Sequence, residues 1–145
     1  MAKVALSELA RLVYEILEQL PKDKVSAAII ALTGELGAGK TTFVQALAKA
    51  LGVQDTAQSP TYVLMKSYPI SYKQFTKLIH IDAYRLEKAE EFETLKPESF
   101  LSDPHNLVCV EWPERIEGKL PTPDAVVKLS AEGAGEAERY IQIEK

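Results

Sequence analysis

Cysteine is nearly absent. Cys109 is the one thiol in 145 residues, which excludes a disulfide framework and a cysteine-built metal centre. An excess of base is absent too. The chain carries 17 Lys and Arg against 21 Asp and Glu, a net charge of −4. A large nucleic-acid footprint needs a clustered basic face, so a grip on RNA is expected only through a partner. No apolar run is long enough to span a bilayer, and no membrane contact is expected. Near the N-terminus Ala5, Leu6, Leu9, Leu12, Val13, Ile16, Leu17 and Leu20 recur at helical spacing, with Glu15 and Glu18 among them. That pattern predicts an amphipathic helix and not a secretory signal. A cytoplasmic protein of one domain, residues 1–145, is expected.

Against this background one segment carries chemistry. Gly34-Glu35-Leu36-Gly37-Ala38-Gly39-Lys40-Thr41 is a complete G-x-x-x-x-G-K-[ST] phosphate loop. Residues 27–32 before it read as a buried strand, and residues 41–51 after it read as a helix. Strand, glycine-rich turn and helix is the context the motif requires. Gly34, Gly37 and Gly39 let the backbone approach an anion closely, so that successive N–H groups point inward as a nest. The helix start adds unpaired amides and the positive end of its dipole. Lys40 supplies a charge for the β- and γ-phosphates, and Thr41 offers a hydroxyl to Mg²⁺. Phe43, Leu47 and Leu51 fall on one helix face, and Gly52 is placed for a C-cap.

The rest of the chain supplies strands. Residues 53–61 form a polar connection ending in Ser59-Pro60-Thr61-Tyr62. Residues 62–68 and 75–82 are β-like, with 69–74 as a hairpin loop. Residues 87–103 are acidic and read as helical, broken at Pro97. Residues 107–111 form a further buried strand, stopped by Pro113. Residues 125–130 and 139–143 alternate apolar and polar around a Glu132-Gly133-Ala134-Gly135 turn, which predicts a terminal antiparallel pair.

A phosphate loop needs an acid for Mg²⁺, usually at the end of an apolar strand. Asp82 and Glu111 both qualify. Strand alternation puts Leu78, His80 and Asp82 on one face, and Leu107, Cys109 and Glu111 on one face of the other strand. Ligand sites in open α/β sheets lie outside such C-terminal strand ends. Asp82 can hold the metal directly or through water; Glu111 can complete its shell or orient the attacking water. His80 reads as a packed or hydrogen-bonded histidine, and Cys109 as a small core residue. Trp112 either caps the core or stacks at the nucleotide. Arg85 can meet phosphate, a partner or Glu side chains.

Four blocks in this order resemble the TsaE (YjeE) family of small bacterial P-loop ATPases: the loop with its flanks, Leu32 through Thr42; Ser59-Pro60-Thr61-Tyr62; His80-Ile81-Asp82-Ala83-Tyr84-Arg85-Leu86; and Val110-Glu111-Trp112-Pro113-Glu114-Arg115. The last two are far more specific than a phosphate loop alone. Glu35 stands where the family often has Asp, with the charge kept. The resemblance implies an α/β fold, a P-loop NTPase-like three-layer sandwich with a mixed central sheet flanked by helices. It implies ATP and Mg²⁺ as ligands and a role in making N6-threonylcarbamoyladenosine at position 37 of tRNA, in a complex with TsaD and TsaB in which TsaD performs the transfer. tRNA is then reached only through that complex. Carried onto this chain, residues 34–42 hold the nucleotide, with Lys40 and Thr41 on phosphate and Mg²⁺ and Thr42 beside them. Asp82 and Glu111 serve metal and hydrolysis, Thr61 lies in a switch-like segment, and Trp112 borders the nucleotide. Two other readings stay open. A small-molecule kinase would need an Arg-rich lid, while the arginines here are only Arg11, Arg85, Arg115 and Arg139, widely scattered. A nucleotide-sensing switch without hydrolysis would use residues 59–61 to sense the γ-phosphate. With no N-K-x-D block, ATP is favoured over GTP.

Overall fold

A computed structural model of the protein describes residues 2–53 and 64–144. Among them, seven strands form one sheet: β1 (Ala2–Ala5), β2 (Ala28–Thr33), β3 (Met65–Tyr72), β4 (Phe75–Asp82), β5 (Asn106–Glu111), β6 (Ala125–Ser130) and β7 (Glu138–Glu144). Their spatial order is β1-β7-β6-β2-β5-β4-β3. The four central strands β6, β2, β5 and β4 are parallel, and β3, β7 and β1 add antiparallel margins. β2 and β5 are apolar along nearly their whole length because a central parallel strand is covered on both faces.

Helices α1 (Leu9–Glu18) and α2 (Lys40–Ala50) pack on one face. Leu9, Val13, Ile16 and Leu17 of α1 and Phe43, Val44 and Leu47 of α2 join Ile30, Leu32, Leu78, Leu107 and Cys109 in one core. The opposite face is covered by shorter pieces: 3-10 turns at Ala83–Arg85, Ala89–Leu95 and Pro113–Ile116, and a single helical turn, α3 (Glu98–Leu101). They bury Leu86, Phe92, Phe100 and Ile116 against Ile79, Ile81, Val108 and Val110. The fold is thus the expected α/β sandwich with a mixed sheet, one of its helical layers being built from short turns.

The helix after the phosphate loop ends as expected. Gly52, at φ 82°, donates to the Lys49 carbonyl and Val53 to that of Ala48, a Schellman closure. At the other end of the sheet Asp124 ties β6 to β2. Its Oδ2 accepts from the Ile29 amide at 2.8 Å and from Lys24 Nζ at 2.9 Å.

Three local expectations change. Ala5 belongs to a strand and not to the helix, because residues 2–5 find a backbone partner in β7, Ala2 opposite Ile141 and Ala5 opposite Glu138; the α-helix begins only at Leu9. The hairpin between β3 and β4 is tighter than the expected 69–74 loop. β3 runs through Pro69 to Tyr72, and Lys73 turns the chain at φ 50°. Proline is tolerated there because β3 is an edge strand, with an irregularity in the pairing between Pro69 and Tyr72. Residues 87–103 break at Pro97 as expected, but the helical pieces are short, a 3-10 stretch Ala89–Leu95 and the single turn Glu98–Leu101, with Lys96 at φ 53° between them. Among the described residues no helix is long and apolar enough to cross a membrane.

Phe43→Ala should therefore cost about 3–5 kcal/mol of unfolding free energy, since its ring is fully buried between helix and sheet. Leu36→Ala, at a side chain 68% exposed, should stay within about 0.5 kcal/mol of the parent. Urea unfolding of the two variants checks the contrast.

Candidate nucleotide site

The phosphate loop leaves the C-terminal end of β2 and closes onto α2. Its shape depends on glycine at one point above the others. Gly34 has φ 146°, and a Cβ there would stand 2.4 Å from the Leu129 carbonyl oxygen of β6. No side chain fits between loop and strand. Gly39, at φ 104°, forms the turn into α2.

A cleft of about 290 Å³ opens over the loop. The expected residues that line it are Leu36, Gly37, Gly39, Lys40, Thr41, Thr42, Asp82, Glu111 and Trp112. Gly34, Glu35 and Ala38 are not among the residues that line it. Gly34 is pressed against β6. Ala38 is buried in the core. The Glu35 carboxylate turns away to accept from Ser130 Oγ (3.1 Å) and the Ala131 amide (3.0 Å). Backbone and Ala131 donors hold that carboxyl below its usual range. These three residues shape the loop. Thr61 and the segment 59–62 lie outside the described residues.

Lys40 is 5% exposed. Its ammonium donates to the carbonyls of Gly34 and Glu35 and lies 4.2 Å from the centre of the Trp112 ring, a cation–π distance. Burial pushes its pKa down, and the carboxylates of Glu111, Glu35, Glu114 and Asp82 oppose that shift. Trp112 reaches this place through backbone strain. It sits at φ 59° immediately after β5, a left-handed conformation that a tryptophan adopts only under tertiary constraint. Tyr84 packs against it, ring centres 4.9 Å apart, and the Arg115 guanidinium lies over the Tyr84 ring, 4.9 Å from its centre.

The two acids stand level. β4 and β5 pair in parallel with Asp82 opposite Glu111, and β5 pairs with β2 with Glu111 opposite Leu32. Asp82 Oδ1 accepts from the Tyr84 amide at 3.1 Å. Glu111 is 3% exposed, and its Oε2 lies 2.6 Å from His80 Nε2. The histidine expected to be packed or hydrogen-bonded thus holds one of the two acids. Cys109 is a core thiol, its pKa raised far above the ordinary value by burial and by Glu111. Among the described residues no group of three or more His, Cys, Asp and Glu is arranged to hold a metal by itself. Mg²⁺ is commonly held by one or two carboxylates together with substrate phosphates. Thr41, Asp82 and Glu111 supply such oxygens in one cleft.

Two lining residues escaped the residue-by-residue reading. Tyr84 lay within the H-x-D-x-Y-R block but had no assigned role. Arg139, a hundred residues beyond the loop's Gly39, had no local signal at all. Arg85 is not among the residues lining the cleft.

Comparison with known proteins agrees with these blocks. The family model described as Threonylcarbamoyl adenosine biosynthesis protein TsaE matches residues 5–141. The chain is similar to the tRNA threonylcarbamoyladenosine biosynthesis protein TsaE of Haemophilus influenzae, 36% identical over 115 residues that cover 79% of this chain and 69% of that one. It is similar to the protein of the same name from Streptomyces coelicolor, 42% identical over 87 residues, 59% of this chain and 57% of the relative. Among solved structures it resembles Bacillus subtilis YdiB at a TM-score of 0.62 and 26% identity, over 97% of this chain and 82% of the other.

The His80–Glu111 contact yields a stability test. His80→Leu leaves a buried carboxylate without its partner and should cost about 1–3 kcal/mol. The double variant His80→Leu with Glu111→Leu should lose less than the sum of the two single variants. Additive losses in urea unfolding would show that the two groups are not coupled.

Proposed function

The chain belongs to the TsaE family of threonylcarbamoyl adenosine biosynthesis proteins, and from that premise we propose that it is a Mg²⁺-dependent ATPase. In this reading it works in the cytoplasm as a component of the complex that makes N6-threonylcarbamoyladenosine at position 37 of tRNA, supporting turnover by TsaD and TsaB. The supporting observation is the convergence of Lys40, Thr41, Asp82 and Glu111 on one cleft over a complete phosphate loop.

The division of labour follows from that convergence. Backbone amides of the loop and the start of α2 receive the phosphates. Lys40 exchanges the Gly34 and Glu35 carbonyls for phosphate oxygens and neutralises their charge. The Thr41 hydroxyl and Asp82 would hold Mg²⁺, which would supply charge neutralisation for the phosphates. Glu111, oriented by His80, positions the attacking water through its other carboxylate oxygen. Hydrolysis of this kind rests mainly on positioning and charge stabilisation. Tyr84 and Trp112 form a wall that limits access of bulk water. The acidic chain contacts tRNA only through its partners, which agrees with a net charge of −4.

The test is ATP hydrolysis measured alone and with TsaD and TsaB. Slow turnover alone, a defined complex and a changed rate within it are expected. Chelating Mg²⁺ should abolish hydrolysis, and Lys40→Ala should remove nucleotide binding. Neither complex formation nor any change in rate on mixing would sink the proposal.

A further inference from the structure

The phosphate loop emerges from β2 with β5 and β4 on one side and β6 and β7 on the other. Asp82 and Glu111 lie on the first side. The cleft also extends to the second, where its lining includes Arg139 of β7. The arginine is held there by two sets of contacts. Its stem packs over Gly39, where a built Cβ would stand 3.5 Å from Arg139 Cγ and 3.4 Å from Nε. Its Nη1 donates to the carbonyls of Glu138 (2.6 Å), Glu136 (3.2 Å) and Gly135 (3.4 Å).

Those three bonds all use one nitrogen. Nε is buried and has no partner among the described residues, which is uncommon for so strong a donor. The other edge of the guanidinium is formed by Nε and Nη2. That planar edge matches two oxygens of a phosphate.

We propose that Arg139 is a nucleotide-binding residue whose Nε–Nη2 edge takes the α-phosphate of the nucleotide, at the end of the cleft away from Asp82 and Glu111. The inference rests on the ATP reading of the site given above. Direction along the ligand follows from the topology. The acids serve the γ-phosphate, where the bond breaks, so a cation across the loop from them meets the part of the ligand that remains as product. The contact is the same in ATP and ADP. It strengthens ground state and transition state equally and so contributes to affinity, unlike an arginine that stabilises the transferring phosphoryl group.

Arg139→Met keeps an unbranched stem over Gly39 and removes the fork. Arg139→Lys keeps a charge and loses the planar edge, and carries the test if the methionine variant does not fold. Titration calorimetry of the full chain with ADP and with a non-hydrolysable ATP analogue, in Mg²⁺, reads the effect. Both ligands should weaken by the same factor in Arg139→Met, about ten- to a hundredfold, and by less in Arg139→Lys. The rise in melting temperature on adding ADP should shrink in step. Unchanged ADP affinity in Arg139→Met would reduce Arg139 to packing and overturn the inference. So would retained ADP affinity with a fall in turnover at saturating ATP, which would place Arg139 at the γ-phosphate. If the parent chain binds neither nucleotide, the ATP reading fails and this inference with it. If the parent binds both and Lys40→Ala abolishes binding while Arg139→Met does not, only the role of Arg139 fails.

Discussion

Parallel hydrogen bonding across β2, β5 and β4 sets the geometry on which the site depends. Leu32, Glu111 and Asp82 are register partners, so the base of the phosphate loop and both acids end at one level. A slip of one residue in either pairing would turn every side chain of that strand to the opposite face. Glu111 would then leave the α1–α2 side, and His80 would lose it. The register is enforced by burial. Leu78, Leu107 and Cys109 enter the core beneath α1 and α2, while Ile79, Val108 and Val110 enter the core beneath the short turns.

The loop's shape is set from the other flank. β6 brings the Leu129 carbonyl so close to Gly34 that only a hydrogen fits. Ser130 and Ala131 receive the Glu35 carboxylate. Arg139 of β7 fills the space that Gly39 leaves open. The terminal hairpin, which looks peripheral in the chain, is therefore one wall of the cleft. The opposite wall is the Trp112–Tyr84 pair, held at the end of β5 by a left-handed tryptophan backbone.

Much of this was legible in the residues. The strand–loop–helix unit was marked by glycine spacing and by apolar periodicity, and the Schellman end of α2 by Gly52. Alternation placed Asp82 with Leu78 and His80 on one face of its strand, and Glu111 with Leu107 and Cys109 on one face of the other. What was not legible depended on distant pairing. Residues 2–5 form a strand because β7 offers an open edge, although local spacing favours a helix through Ala5. The β3–β4 turn is tight because pairing continues past Pro69 to Tyr72 opposite Phe75, on an edge strand where proline is tolerated. His80 could be read as packed, but that its imidazole meets Glu111 on the neighbouring strand is a matter of register.

The sequence by itself determined the chemistry available here. A phosphate loop, two strand-terminal acids and the blocks around them are local patterns, and local patterns follow from backbone sterics, periodicity and side-chain type. The tertiary structure alone decided which of these groups share a cleft. It turned Glu35 away from the cleft and Lys40 onto the loop's own carbonyls. It brought Arg139 from the last strand to Gly39. Such choices depend on strand order and close packing between segments far apart in the chain, and no window along the sequence contains them.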